Sequence, residues 1–302
     1  MLRIFKEHSN QKINVIWVAS YPRSGNTWVN TVLKRAGKNY GFPQDNNDVY
    51  KILAEKGKPE VCSAVREKYA DNPCSVLKTH SPYNPESELH KFGGISIKNT
   101  GFIHVYRNPL DVLLSYINFS RGQYQNYRNT KRYKRGKYKK ALFIDILDFQ
   151  HTYEIDEWQS MSLDLIPQRN LDHALDYFSD HGLDIKTLSD MAGSWITHIE
   201  SWKKAHLNMK GFSIRYEDCL VDREQFVTGA EFFKFGREDV LNALEAFNKK
   251  VREFSSSGSI FYNKMEAYYF FKYFSRGAIQ RFMDKNEGIL RDNGYSSLLE
   301  MI

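Results

Sequence analysis

The hydrophobic positions of this chain fall into short unbroken runs separated by helical stripes. Val15, Ile16, Trp17, Val18 and Ala19 form an apolar run of strand length with no polar residue to mark a wet face, the pattern of a strand buried on both sides of a parallel sheet. From Trp28 the period changes: Trp28, Val29, Val32, Leu33 and Ala36 recur at helical spacing, and Gly37 sits where a helix stops. Three further stretches have strand character. They are Cys74 to His80, bounded by Pro73 and Ser81-Pro82; Gly101 to Tyr106, after the turn-like Lys98-Asn99-Thr100; and Gly211 to Tyr216. Residues 39–48 read as loop, and 49–70 as charged surface helices broken near Gly57-Lys58-Pro59. Strands alternating with helical segments predict right-handed crossovers, hence an α/β fold with a central parallel sheet and helices on both faces. We expect a single domain over residues 1–302.

In such folds ligands collect beyond the C-terminal strand ends. Arg23, His80, Arg107 and Glu217 each fall just past a predicted strand. The first strand passes into its helix through Tyr21-Pro22-Arg23-Ser24-Gly25-Asn26-Thr27. A strand-to-helix loop presents backbone N–H groups and the positive end of a helix dipole, and a glycine lets the backbone approach a ligand. Arg23 adds a charge, and Ser24, Asn26 and Thr27 add short donors, so phosphate or sulfate is the expected ligand. The alternative is an ordinary turn built from turn-forming residues. A Walker A loop is excluded, because it needs GxxxxGK[ST] and this loop has one glycine and no Lys before Thr27.

The third strand runs into Arg107-Asn108-Pro109-Leu110-Asp111. Asn108 suits an N-cap, Pro109 the first helical position, and Asp111 the third, where a carboxylate faces free N–H groups. An Arg at a strand end with Ser115 on the following helix can grip one phosphate from two sides. The alternative is an Arg107–Asp111 salt bridge beside an unremarkable serine.

Composition narrows the class. A chain of 302 residues, 41% hydrophobic, suffices for an enzyme-sized core. Three cysteines, Cys62, Cys74 and Cys219, form no CxxC pair, so neither a disulfide framework nor a zinc site is indicated. No run reaches membrane-spanning length and the start lacks a signal peptide's layout, so a cytoplasmic protein without membrane association is expected. The formal charge of +7 and pI near 9.0 owe much to one run, Arg128 to Lys140, and a phosphate-rich small ligand accounts for the other basic residues without nucleic acid.

Tyr21 to Trp28, YPRSGNTW, resembles the 5′-phosphosulfate loop of the soluble sulfotransferases that use 3′-phosphoadenosine 5′-phosphosulfate (PAPS). Arg107 to Tyr116, RNPLDVLLSY, resembles the same family's 3′-phosphate motif, RNPxDxxxSxY. Lys78-Thr79-His80, Gly193 to Trp202 (GSWITHIESW) and Tyr216-Glu217-Asp218 match further family segments. The resemblance implies a P-loop-like fold and transfer of a sulfuryl group from PAPS to a small-molecule acceptor, leaving adenosine 3′,5′-bisphosphate. It implies Arg23, Ser24, Gly25, Asn26, Thr27 and Trp28 at the 5′ end, Arg107 and Ser115 at the 3′-phosphate, and Tyr216 near the adenine. Trp28 and Tyr216 are equally readable as core.

The resemblance makes His80 the catalytic histidine; the alternative is a structural histidine that closes the strand against a backbone carbonyl. A neutral imidazole at pH 7 can accept an acceptor's proton, while Lys78 and Arg23 stabilise developing charge. No metal is expected. His198 shares a stripe with Leu188, Met191, Trp195, Ile199 and Trp202, and is read as structural. The family's C-terminal RKGxxGDWK is altered here to Ser275-Arg276-Gly277-Ala278-Ile279-Gln280-Arg281-Phe282, which leaves Arg276 and Gly277 as 3′-phosphate candidates. Residues 120–190, with the basic run and an acidic, aromatic segment at 143–158, are longer than the family's short form and read as a lid or acceptor-specificity insertion, the alternative being an interface or a disordered loop. The protein is expected to be a monomer or homodimer. The competing classes are a nucleotide kinase and a basic nucleic-acid-binding protein.

Overall fold

A computed structural model describes residues 12–37, 75–84, 91–92, 95–127, 162–185, 188, 192–256 and 267–301. The surface helices expected over 49–70, the basic run 128–140 and the segment 143–158 lie outside the described residues. The chain divides into two compact units, Met1–Tyr106 with His198–Lys249, and Arg107–Thr197 with Lys250–Ile302.

The first unit is built on one sheet. Its strands are β1 (Lys12–Ala19), β2 (Ser75–Thr79), β3 (Lys91–Phe92), β4 (Ile95–Tyr106) and β5 (Gly211–Arg215). β1 lies between β2 and β4, parallel to both, and β5 extends the parallel sheet on the far side of β4. β3 pairs antiparallel with the start of β4. The expected parallel α/β sheet is therefore present, and the order β2-β1-β4-β5 puts a topological switch point between β1 and β4. All five residues of the Val15–Ala19 run are buried, because β1 is covered on both faces and paired on both edges.

Lys98-Asn99-Thr100 is not the turn its composition predicts. These residues continue β4, and the register against β1 slips between Val15–Asn99 and Ile16–Gly101, so Thr100 is the extra residue of a bulge. The bulge leaves Asn99 Oδ1 to accept the indole N–H of Trp17 at 2.8 Å.

Helices α1 (Asn26–Ala36) and α2 (Pro109–Tyr127) follow β1 and β4 in sequence. After α3 (Gln168–Asp180), α4 (Trp195–Ala205) begins only at Trp195, because Gly193 at φ +64° breaks the longer helix expected from Leu188. Its residues Trp202 and Ala205 close one sheet face over Val15, Trp17, Ala19, Leu77 and Phe102. α5 (Tyr216–Val221), α6 (Glu224–Phe232) and α7 (Arg237–Ser256) come after β5.

In the second unit Leu110 to Ile117 of α2 are buried without interruption, as in a central helix. α8 (Arg276–Asp292) lies along α3: apolar stripes of Leu171, Ala174, Leu175 and Phe178 and of Ala278, Ile279, Phe282 and Met283 are buried, and Arg281–Asp176 and Lys285–Asp180 pair along the edge. α9 (Ser296–Leu299) is the last helix of the described residues. Residues 168–180, inside the stretch expected to be an insertion, thus form a packed helix.

Two histidines lie in the interior of the first unit. His104 on β4 and His198 on α4 are both fully buried, with ring centroids 5.5 Å apart. Burial pushes His104 down to about 3 and His198 well below the ordinary histidine value, each reinforced by nearby cationic or imidazole groups. The unfolded chain therefore takes up two protons that the fold refuses as pH drops below about 6.5. Stability contributed by the neutral rings is complete above that pH and is lost toward the folded values, at up to about 1.4 kcal/mol per pH unit for each. Urea unfolding from pH 7 to 5 should show a falling midpoint, and His104→Phe should flatten the decline.

Candidate active site

At the C-terminal end of β1 the chain turns sharply. Ser24 N donates to Tyr21 O at 3.2 Å, Arg23 sits at φ +71° and Gly25 at φ +105°. A left-handed arginine is uncommon, and such backbone strain clusters where a chain is held for function. Gly25 occupies the N-cap of α1 with no side chain to turn back on the first N–H groups, which leaves them for solvent or a ligand. A Cβ at Gly25 would lie 2.6 Å from Tyr216 Cδ2. The glycine is therefore required twice, by its φ and by the ring packed on it.

The other loop residues separate by role. Ser24 Oγ is fully buried and has no hydrogen-bond partner among the described residues, as a donor meant for a ligand would be. Thr27 is exposed. Asn26 was expected as a side-chain donor, but both its amide hydrogens are committed, to Val18 O at 2.9 Å and Thr79 O at 3.1 Å. It ties the ends of β1 and β2 together and leaves its backbone N–H for an anion. Trp28 is buried against Phe226 at 4.8 Å, with Tyr216 edge-on at 6.3 Å. Both aromatic rings serve the packing behind the loop.

β2 ends beside β1, Thr79 level with Ala19, so Lys78 and His80 arrive next to Arg23. Burial, and then the Arg23 charge, lower Lys78 to about 8. Burial first, and then the Lys78 and Arg23 charges, lower His80 to about 4, against the pull of its bond to Ser20. His80 Nδ1 lies 2.8 Å from the Ser20 carbonyl. A carbonyl only accepts, so Nδ1 carries the hydrogen and the lone pair resides on Nε2. This is a neutral imidazole held in one tautomer next to two cations.

In the second unit Arg107 heads α2. Asn108 Oδ1 accepts from Asp111 N at 2.8 Å, the N-cap the sequence predicts, and Asp111 Oδ2 accepts from the Asn108 side-chain Nδ2 at 2.9 Å rather than from a backbone N–H of the helix start. Asp111 also takes the N–H groups of Tyr268 and Phe270, and Arg107 Nη2 approaches it at 3.4 Å. Burial raises the Asp111 carboxyl, opposed first by Arg107. The salt-bridge reading of Arg107 is thus realised, through a long contact beside the Tyr269 ring 5.4 Å away. Trp195 Nε1 donates to Arg107 O at 2.9 Å and fixes its backbone. Ser115 is buried on α2. Arg276 and Gly277 are exposed in the first turn of α8. Ser275, where the family has a basic residue, is the helix N-cap, accepting from Ala278 N at 3.2 Å.

Sequence reasoning missed Ser20, Ser201, Tyr268 and Tyr269. They act through backbone groups or a neighbour's contact, and no spacing rule exposes that. Among the described residues no three His, Cys, Asp or Glu side chains gather as a metal site requires, and no helix is long and apolar enough to cross a membrane.

A parallel sheet with a charged strand-to-helix loop at its switch point defines a P-loop-like α/β enzyme that handles phosphate or sulfate. The family model described as the sulfotransferase domain matches residues 14–277, and the chain belongs to that family of sulfuryl-transfer enzymes. Among solved structures it is similar to mouse sulfotransferase SULT7A1 complexed with PAP, with a TM-score of 0.57 and 16% identity over 96% of this chain and 89% of that one. Retinol dehydratase in a complex with retinol and PAP aligns with a TM-score of 0.49 and 16% identity, over 93% of this chain and 82% of that one. The family and fold expected from the motifs are borne out.

Gly25→Ala should cost on the order of 1–3 kcal/mol in urea unfolding. Combined with Tyr216→Ala, which removes the ring the new methyl strikes, the loss should be smaller than the sum of the two single losses. Strict additivity would contradict the packing account.

Proposed function

We propose that this chain transfers the sulfuryl group of PAPS to a hydroxyl or amine of a small-molecule acceptor, with His80 as general base. The observation that carries the reading is the His80 Nδ1–Ser20 carbonyl bond beside Lys78 and Arg23. It gives an imidazole whose Nε2 can accept a proton without any prior change of state. The acceptor's proton goes to Nε2, the acceptor atom bonds to sulfur, and the bond from sulfur to the bridging phosphate oxygen breaks. Adenosine 3′,5′-bisphosphate leaves. Lys78 and Arg23 offset charge on the bridging and sulfuryl oxygens, and Arg23, always protonated, serves as a clamp.

Two observations support the loop as the site of the donor's 5′ end: Ser24 Oγ is a buried hydroxyl without a partner among the described residues, and the α1 N-terminus has no side-chain cap. Arg107 and Ser115 are assigned the 3′-phosphate on their motif, with Arg276 and Gly277 as further candidates at the head of α8. The mouse sulfotransferase similar in fold was solved with PAP, in keeping with this choice of nucleotide. The acceptor is a small molecule, and residues 120–190 are proposed to carry its specificity.

Turnover with labelled PAPS, after a screen for an acceptor, tests the base. His80→Ala should lower it by about 10²-fold or more with bisphosphate binding intact. In the native enzyme kcat/KM should fall below a pH near 4, where His80 takes a proton, and above a pH near 8, where Lys78 loses one. Limbs at ordinary histidine and lysine values would remove these assignments.

Thermal shift separates the competing classes. Adenosine 3′,5′-bisphosphate at about 100 times its dissociation constant should add roughly 2.7 kcal/mol, while ATP and an oligonucleotide should add less. Arg107→Ala should weaken that bisphosphate far more than adenosine 5′-phosphate. Equal loss for both would contradict a 3′-phosphate role.

A further inference from the structure

The segment after β2 has lost its sheet partners, yet it must hold an imidazole still. Thr79 O accepts from Ser20 N at 3.2 Å, and Ser81 N donates to Thr79 Oγ1 at 3.1 Å. Pro82 has no N–H, so Tyr83 supplies the next backbone donor, and it goes to Ser201 Oγ at 2.8 Å. That hydroxyl passes its own hydrogen to His198 O at 2.7 Å. The indole N–H of Trp202 donates to Ser81 O at 3.0 Å. Two neighbours on α4 therefore grasp the chain one and three residues beyond His80.

Trp202 is buried, 5.4 Å from the Phe102 ring and 5.5 Å from Tyr83. As core filler, a phenyl ring would serve nearly as well. What only the indole supplies at this position is a donor aimed at the carbonyl that follows His80.

We propose that Trp202 and Ser201 are positioning residues for sulfuryl transfer, fixing His80–Tyr83 from α4 so that the His80 ring stays donated to Ser20 and keeps Nε2 unprotonated. The proposal rests on His80 being the base. Without the indole donor the part-buried Ser81 carbonyl turns to find another partner, since a carbonyl shielded from solvent is costly to leave unpaired. The rotation carries His80 off the Ser20 carbonyl. Displacements of this size matter for catalysis, because a reacting group about 1 Å out of place can cost 10²-fold in rate.

The test uses ¹⁵N-labelled full-length protein and long-range ¹H–¹⁵N spectra of the histidine rings, with the His80 signals identified by their loss in His80→Ala. Native protein should show the Nδ1–H tautomer persisting to about pH 4. Trp202→Phe should mix the tautomers and raise the His80 pKa by about one unit or more, as the ring moves toward solvent. Affinity for adenosine 3′,5′-bisphosphate should not change. Ser201→Ala, which leaves the core intact, should shift the same signals in the same direction by less. Lowered melting temperatures with native His80 tautomer and pKa in both variants would overturn the proposal, leaving Trp202 as packing alone. Native turnover in His80→Ala would remove the base itself, and with it any positioning role of Trp202 and Ser201 in sulfuryl transfer, whatever the spectra show.

Discussion

The side-chain amide of Asn26 ties together the ends of β1 and β2, where the proposed site lies. One hydrogen goes to Val18 O on β1 and the other to Thr79 O on β2. Without them two parallel strands would end as separate loose chains, and Arg23 and His80 would follow different loops. With them the two strand ends keep one level, Ala19 beside Thr79, and the Ser20 carbonyl lies within reach of His80 Nδ1. Hydrogen bonds from a neutral side chain to backbone carry about 1 kcal/mol each. Their importance is geometric: they convert the register of the sheet into the register of the site.

Much of this was legible in the chain. The Val15–Ala19 run, the helix from Asn26 and the Asn108–Asp111 cap are set by local pattern, and local pattern is what a sequence displays. Arg23 and His80 could be placed together because parallel α/β topology gathers strand ends, and Lys78 joined them through the family resemblance. The misreadings share a cause. Lys98-Asn99-Thr100 looks like a turn, but pairing with β1 absorbs it as a bulge, and the Asn99 side chain finds Trp17 across the strands. Asn26 looks like a free donor, but its partners lie 8 and 53 residues away. Tertiary pairing overrode local propensity in both cases.

The tryptophans of GSWITHIESW show how a motif can be recognised while its physical reason stays hidden. Trp195 donates to the carbonyl of Arg107 and Trp202 to that of Ser81, next to His80. Each indole fills volume and also fastens backbone beside a residue proposed for function. The departure at Ser275 has a physical reason of the same kind. The hydroxyl caps α8, and Ser275 N donates to Asp172 at the start of α3, so a position that holds a cation in the family here starts and anchors a helix.

Electrostatics joins these parts. Arg23 lowers Lys78, and both lower His80, so cationic groups that repel one another share the end of β1 and β2. In the absence of an anion this arrangement is a cost, since each group depresses the charged form of its neighbours. A phosphate or sulfuryl group brought into the loop reverses the sign of the field, so repulsion within the protein becomes attraction to the ligand. The same field keeps His80 neutral while it waits. A protonated imidazole would be a third cation beside Arg23 and Lys78, and it would have no lone pair to give an acceptor. Burial and the Lys78 and Arg23 charges favour the neutral ring, while the bond to Ser20, which by itself pulls the other way, selects the Nδ1–H tautomer, so gathering these charges readies His80 for the role of base proposed for it.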